Sequence, residues 1–245
     1  MRIYMKIITL GTSHGDPTAS RYNSSTLLEC NGAFYLLDAG APVAASLIRR
    51  GIDISSLRGI FLTHMHEDHF GGLSGLLKHL TKYPPSSPVP VYLPEDATDA
   101  FKSLLAVSHR PLSDEAATFK LLKKGLVYED GNLTIEAIPT RHAENEGRNF
   151  PSFGFSIHSK SGKHYLHTGD LKHDFSDFPG EYCTPDTVCV CELTHYPWSC
   201  AEPVLKNIKL TRMIFSHIGN QWKSGTVFDL PYDNIIAEDG DEFKL

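Results

Sequence analysis

The sequence predicts an α/β protein in which two β-sheets pack face to face with helices on their outer sides. Two observations predict it. Apolar runs of strand length, several joined as hairpins, are interleaved along the chain with amphipathic helical stretches. Each half also carries an apolar strand ending in an acidic residue, "FYLLDAG" (34–40) in the first and "HYLHTGD" (164–170) in the second. A chain of 245 residues can bury a full core, and a single domain over 1–245 is expected.

Residues 5–10 read as a first strand, and the polar loop "GTSHGDPTASRYNSS" follows. Asn31-Gly32 joins two apolar runs, a dipeptide that favours the tight turn of a hairpin. "PVAASLIRRG" reads as a helix with Pro42 near its start and Gly51 stopping it. "GIFLT" is a buried strand and "GGLSGLLKHL" a helix. "YPPSSPVP" is too short to separate domains; after it, 81–130 reads as the strand "VYLP", a short helix near 95–106, and loops. Hairpins follow around Gly131-Asn132 and Ser161-Gly162. "TVCVCEL" and "RMIFSH" are strands with a helix near 201–208 between them, and two short strands close the chain.

Composition narrows the function. A net charge of −6 lacks the broad basic footprint of a nucleic-acid binder. No window approaches a membrane span, and no signal-peptide pattern opens the chain, so a cytoplasmic protein is expected. Five cysteines without a Cys-x-x-Cys pair read as small core residues. The thirteen histidines are the unusual count.

They concentrate where chemistry is placed. In "THMHEDH" (63–69) a strand gives way to a turn holding His64, His66, Asp68 and His69. Such loops at the carboxyl edge of a sheet are common ligand sites. Four N and O donors within six residues suit one or two divalent transition metals. Three further strand ends carry His142 ("IPTRHAEN"), Asp170 ("YLHTGD") and His217 ("MIFSHIGN"), which together complete a second set.

His-x-His-x-Asp-His followed by Gly-Gly, then a later His, "TGD" and a final His, resembles the metallo-β-lactamase superfamily over nearly the whole chain. The resemblance implies a four-layer αββα sandwich of two mixed sheets with a two-metal site at one edge. By motif position, His64, His66 and His142 would hold one metal, Asp68, His69 and His217 the other, and Asp170 would bridge them. Asp38 would support the ligand loop from behind. Two such ions, about 3.5–4 Å apart, activate a shared hydroxide, so no side-chain nucleophile is needed. Asp68 would orient that hydroxide. Zinc is the first expectation, with manganese or iron accepted by a mixed His/Asp set.

"LGTSHGDPTASRYNSSTLLE" and "THMHEDHFGGLSGLL" resemble the tRNase Z-like branch, which cleaves phosphodiesters. Arg21 would then meet a phosphate or, equally, pair with a local carboxylate. The branch's His-Glu-Ala-Thr motif appears here as "CELT", with Cys191 in the histidine position and Glu192 and Thr194 matching. His195 is the nearby substitute for the missing proton donor, and Cys191→His is expected to alter rate or leaving-group preference. The Gly/Pro-rich arm that grips tRNA is missing, so tRNA is not expected as substrate. The leading expectation is hydrolysis of small or cyclic phosphodiesters. Thioester, lactone or amide hydrolysis at the same centre, or metal binding without catalysis, are the alternatives. No membrane partner is expected, and a homodimer is compatible with the sequence. The loops 11–25, 106–118, 143–151 and 218–229 would set substrate choice, with Phe150 or Trp198 either stacking on a base or anchoring its loop.

Overall fold

In the computed structural model, which describes residues 4–223 and 225–245, the turn at Asn31-Gly32 lies inside an antiparallel meander. Its strands are β1 (Met5–Gly11), β2 (Ser25–Cys30) and β3 (Ala33–Leu37). The sheet continues in parallel through β4 (Leu57–Phe61), β5 (Val89–Leu93) and β6 (Ala117–Leu121). Crossovers of helix-containing chain make the parallel steps possible. They contain α1 (Val43–Arg49), α2 (Glu67–Phe70), α3 (Leu73–Lys82) and α4 (Thr98–Val107).

The second sheet opens with an antiparallel run, β7 (Gly125–Glu129), β8 (Leu133–Thr140), β9 (Ser152–Ser159) and β10 (His164–His167). It then turns parallel through β11 (Thr187–Leu193), β12 (Arg212–Ile218) and β13 (Asp233–Ile236), with α5 (Trp198–Leu205) between β11 and β12. The closing strand β14 (Glu242–Lys244) returns to the first sheet beside β1. Both sheets are mixed and seven-stranded, ordered β14-β1-β2-β3-β4-β5-β6 and β13-β12-β11-β10-β9-β8-β7.

Side-chain alternation sorts the core into three layers. Met5, Ile7, Leu28, Tyr35, Leu37 and Phe61 face inward and meet Ile135, Phe155, Ile157, Tyr165 and Val190 between the sheets. Their alternates, Ile8, Leu10, Leu27, Leu36 and Ile60, face outward and bury Leu47, Leu73, Leu76, Leu77 and Leu80 of α1 and α3. On the far side, Leu166, Cys189, Cys191, Met213 and Phe215 bury Ala201 and Leu205 of α5. The period of two along each strand therefore builds the αββα sandwich directly. Stacking of Phe61 on Tyr92, with centroids 4.7 Å apart, and its edge contact with Phe155 at 6.1 Å key the two sheets together.

The structure departs from expectation in two places. Residues 117–121, read as loop, form the edge strand β6; Ala117 and Phe119 pack on the outer core while Thr118, Lys120 and Leu121 are exposed, an alternation only five residues long. The helix expected at 201–208 begins at Trp198, directly after Pro197.

Two backbone contacts join the sheets at one edge. The Ile218 amide donates to Thr12 O at 2.8 Å, and the Phe153 amide to Thr63 O at 2.9 Å. The strand ends carrying the predicted donors open onto this seam.

Candidate metal centre

Asp38 follows β3 with φ +57°, a left-handed backbone that Asp tolerates better than most residues. The bend turns its buried carboxylate under the ligand loop. Asp38 Oδ1 accepts the Thr63 amide at 2.7 Å, and both carboxylate oxygens lie 3.0 Å from the Thr63 hydroxyl. Asp38 Oδ2 accepts His69 Nδ1 at 2.8 Å. Because the Thr63 hydroxyl donates to Asp38, its oxygen accepts from His64 Nδ1 at 3.0 Å. His66 Nε2 donates to Glu146 Oε1 at 3.0 Å. The outer nitrogen of each ring is thus occupied, and the inner nitrogens point together.

At the centre stands Asp170. Gly169 places it: φ is +59°, and a Cβ there would fall 2.3 Å from Phe153 O. Asp170 Oδ2 lies 3.6 Å from His64 Nε2, 3.4 Å from His69 Nε2, 3.8 Å from His142 Nε2 and 3.6 Å from His217 Nε2. On one side His64, His66 and His142 present a triangle of nitrogens, His66 Nδ1 lying 3.0 Å from His64 Nε2 and 3.2 Å from His142 Nε2. On the other, Asp68 Oδ2 lies 3.1 Å from His217 Nε2 and 3.4 Å from His69 Nε2. All seven positions singled out in the sequence converge here.

These residues fit metal ions. Tetrahedral zinc, with Zn–N near 2.0–2.1 Å, sets ligand nitrogens about 3.3 Å apart, close to the spacing of the triangle. His64 Nε2 and His66 Nδ1 carry bare lone pairs that face each other, an arrangement a cation between them stabilises. His69 Nε2, which faces Asp68 and Asp170, is buried without a hydrogen-bond partner. The charge balance agrees. Burial opposes ionisation of Asp170, but the surrounding imidazoles, His217 and His69 foremost, hold it well below the usual carboxylate range. Burial likewise opposes charge on His69, yet Asp170 and Asp38 hold that ring well above the usual histidine value. His64, with burial and His69 both against its charge, is held well below it. The chamber is short of positive charge, and its carboxylates draw it from the rings.

His195 joins the cluster, which strand alternation had left open. β11 ends at Leu193, and the turn that follows brings the ring back, its Nδ1 3.7 Å from Asp170 Oδ2 and its centroid 4.5 Å from that of His142. Glu192 holds that turn: its carboxylate accepts the Leu171, Thr194 and His195 amides at 2.9, 2.8 and 3.0 Å, and His195 Nδ1 at 3.0 Å. Burial opposes charge on His195, but Glu192 and Asp170 push it up to about 9. His66 and His195, 30% and 25% exposed, mark the mouth of the site.

Other expectations are resolved by the structure. Arg21 is buried and bonded to Thr12 Oγ1 and Ala237 O, both at 2.6 Å, with Glu238 at 3.6 Å; of its two expected roles, pairing with a local carboxylate is the one the structure shows. Cys191 points away from the centre, wholly buried on the α5 side of β11 with Sγ 3.4 Å from Tyr196 Oη. Trp198 anchors its loop against Phe228, centroids 4.1 Å apart, whereas Phe150 lies 5.1 Å from His66 and walls the site. Residue 224 of the 218–229 loop lies outside the described residues. Sequence reading missed Thr63, Asn145 and Glu146. Asn145 ties the His142 turn to the Asp170 loop through Leu171 O at 3.0 Å and the His173 amide at 2.8 Å. Only the Thr63 position, directly before the motif, carried any local signal.

The sequence model of the family described as Anti-Pycsar protein Apyc1 matches residues 5–188, most of the chain. The chain belongs to the Apyc1 family. It lies in the tRNase Z-like branch of the metallo-β-lactamase superfamily of metal-dependent hydrolases. This Apyc1-family chain is 33% identical over 159 residues to Ribonuclease Z of Rippkaea orientalis, covering 64% of this chain and 48% of that protein. Ribonuclease Z of Gloeothece citriformis is 34% identical over 158 residues, with 64% and 48% covered. The chain thus spans about half the length of the curated relatives it matches. Solved structures share the fold. The short form of human tRNase Z superposes with TM-score 0.76 at 23% identity, covering 97% of this chain and 98% of that one. The metallo-β-lactamase fold protein YhfI from Bacillus subtilis gives 0.78 at 17%, covering 99% and 100%. A diphosphatase of the PhnP family gives 0.75 at 17%, covering 99% and 97%. Among the described residues, no helix is long and apolar enough to cross a membrane.

Proposed function

We propose that this chain is a phosphodiesterase acting on small or cyclic phosphodiesters at a two-metal centre, with residues 1–245 as one catalytic domain. The observation that carries the reading is Asp170 Oδ2, a single oxygen standing 3.4–3.8 Å from ring nitrogens of both donor sets. Two divalent ions would be held by His64, His66 and His142, by Asp68, His69 and His217, and by Asp170, and would supply Lewis acidity and make water reactive at neutral pH, zinc being the first choice and manganese or iron the others. Asp68 orients the attacking water from beside His217. Glu192 fixes His195 through Nδ1, which leaves Nε2 to pass a proton to the departing oxygen as the P–O bond breaks. Glu192 acts through His195 and is a positioning residue.

Two features support a small substrate over tRNA. Residues 81–130 fold into α4 and strands β5, β6 and β7 of the sandwich, and the chain carries a net charge of −6. The relatives' name, Ribonuclease Z, makes RNA the competing substrate. The test is hydrolysis of bis(p-nitrophenyl) phosphate by protein loaded with zinc, manganese or iron, with Asp170→Ala as the blank. Cyclic nucleotides and a precursor tRNA follow in parallel. Turnover lost in the variant and greater on cyclic nucleotides supports the proposal. Preference for the tRNA replaces the substrate, and turnover of p-nitrophenyl esters alone replaces the reaction class.

A further inference from the structure

The three rings of the 64–69 loop are supported from different places. His64 and His69 rest on Thr63 and Asp38, buried at the ends of strands. His66 instead rests on Glu146, the last residue of the 3₁₀ turn His142–Glu146, at 3.0 Å. The second oxygen of that carboxylate, Oε2, lies 3.4 Å from Arg148 Nη1, and the Arg148 side chain is 71% exposed. Imidazole, carboxylate and guanidinium therefore run in a line from the donor cluster to solvent.

The turn builds this line. Gly147 ends it with φ +63°, a conformation that strains any other residue, while the Gly147 amide donates to Glu144 O at 3.2 Å and the Arg148 amide to Ala143 O at 3.1 Å. The tight reversal brings Arg148 back beside Glu146. Phe150, 5.1 Å from the His66 ring, closes the loop onto the site.

The neighbouring cations are committed elsewhere. Lys172 pairs with Glu144 at 2.8 Å and Asp174 at 3.4 Å, Arg141 bonds Ser176 and lies 3.9 Å from Glu144, and Arg21 is buried in its own network. Arg148 makes one long pair in water, which is weak and readily exchanged. A guanidinium offers a planar fork that matches two phosphate oxygens.

We propose that Glu146 is the positioning residue for His66 and that Arg148 is the anion-recognition residue of the same site, taking the charged oxygens of a phosphodiester at its mouth. The inference rests on the phosphodiesterase reading and narrows it to anionic substrates. Glu146 keeps its bond to His66 when the guanidinium turns to the substrate, so the two residues have separable roles.

Four variants test it: Glu146→Ala, Glu146→Gln, Arg148→Ala and Arg148→Lys. Zinc affinity is read by competition with a chromophoric chelator, with circular dichroism confirming the fold. Glu146→Ala weakens zinc about 10–100-fold, the range for loss of a ligand's supporting partner. Glu146→Gln, whose amide oxygen still accepts from His66, recovers most of it. Arg148→Ala leaves zinc affinity unchanged but weakens inorganic phosphate binding to the zinc-loaded protein, and raises KM for bis(p-nitrophenyl) phosphate, by about tenfold or more, with kcat little altered. Arg148→Lys recovers part of the phosphate binding. Wild-type zinc affinity in Glu146→Ala overturns the positioning role. Wild-type phosphate affinity in Arg148→Ala overturns the recognition role. Should the wild type fail to hydrolyse the diester, the phosphodiesterase reading falls, while chelator competition and phosphate calorimetry still decide both assignments.

Discussion

Glu192 holds His195 twice, its Oε2 accepting the backbone amide and its Oε1 the ring Nδ1, each at 3.0 Å. A residue three positions past a carboxylate is thereby folded back over the end of its own strand. The ring's direction depends on that carboxylate and not on strand alternation.

From this pair comes the first prediction. His195→Ala lowers kcat by about 10²–10⁴-fold for a substrate with an alkoxide leaving group, the usual range for a lost proton donor. With p-nitrophenolate, which departs without a proton, the loss is far smaller. Glu192→Ala follows His195→Ala in leaving-group dependence while metal content holds. Comparing kcat on a cyclic diester and a nitrophenyl diester checks it, and equal losses on both would remove His195 as proton donor.

Asp38 supports both the ligand loop and a ring. Asp38→Ala strips the partners from the Thr63 amide and from His69 Nδ1, two buried donors. Each unpaired donor costs about 1–3 kcal/mol, so chemical denaturation registers a loss of several kcal/mol. Metal affinity falls about 10–100-fold. A variant as stable as the wild type would show the pair to be dispensable.

Cys191→His does not restore a catalytic proton donor. The thiol is sealed between β11 and α5 against Tyr196, and burial holds its pKa far above the usual thiol value. An imidazole there overpacks the layer and costs about 1–3 kcal/mol. The expected outcome is a lower Tm, unchanged leaving-group preference and unchanged metal content per folded molecule.

Stability should fall in mild acid. His164 is buried on β10, stacked 4.0 Å from His158 and bonded to Thr187 Oγ1 at 2.8 Å. Burial, with His158 adding to it, pushes His164 down to about 4. The unfolded ring titrates near 6.5 and so binds a proton before the folded one does. This contribution is complete above about pH 7 and is lost as pH falls from about 6.5 towards 4, at most about 1.4 kcal/mol per pH unit. Tm measured between pH 7 and 4.5 shows the slope, and His164→Gln flattens it. An equal slope in the variant would place the acid sensitivity elsewhere.

The sequence by itself determined the architecture and the donor set. Apolar runs of strand length such as Phe34–Leu37 marked the strands and the two-sheet sandwich, and the structure then buries Tyr35 and Leu37 between the sheets and Leu36 against the helices. "THMHEDH" brings four donors together through local chain geometry, and "TGD" and "SHI" each stand at a strand end. Tertiary structure decided what depends on contacts between distant segments. Arg21 was neutral between two readings until Thr12, Ala237 and Glu238 closed around it. Cys191 occupied a motif position, yet its strand turns it outward. Strand β6 carries an alternation of only five residues, Ala117 to Leu121, and pairing with β5 at the sheet edge is what makes it a strand. His66 and Glu146 lie 80 positions apart and touch because β8 delivers its turn to the edge where β4 ends. Local periodicity is encoded residue by residue. The partners of buried charges depend on which strand ends the packed sheets bring to the same seam.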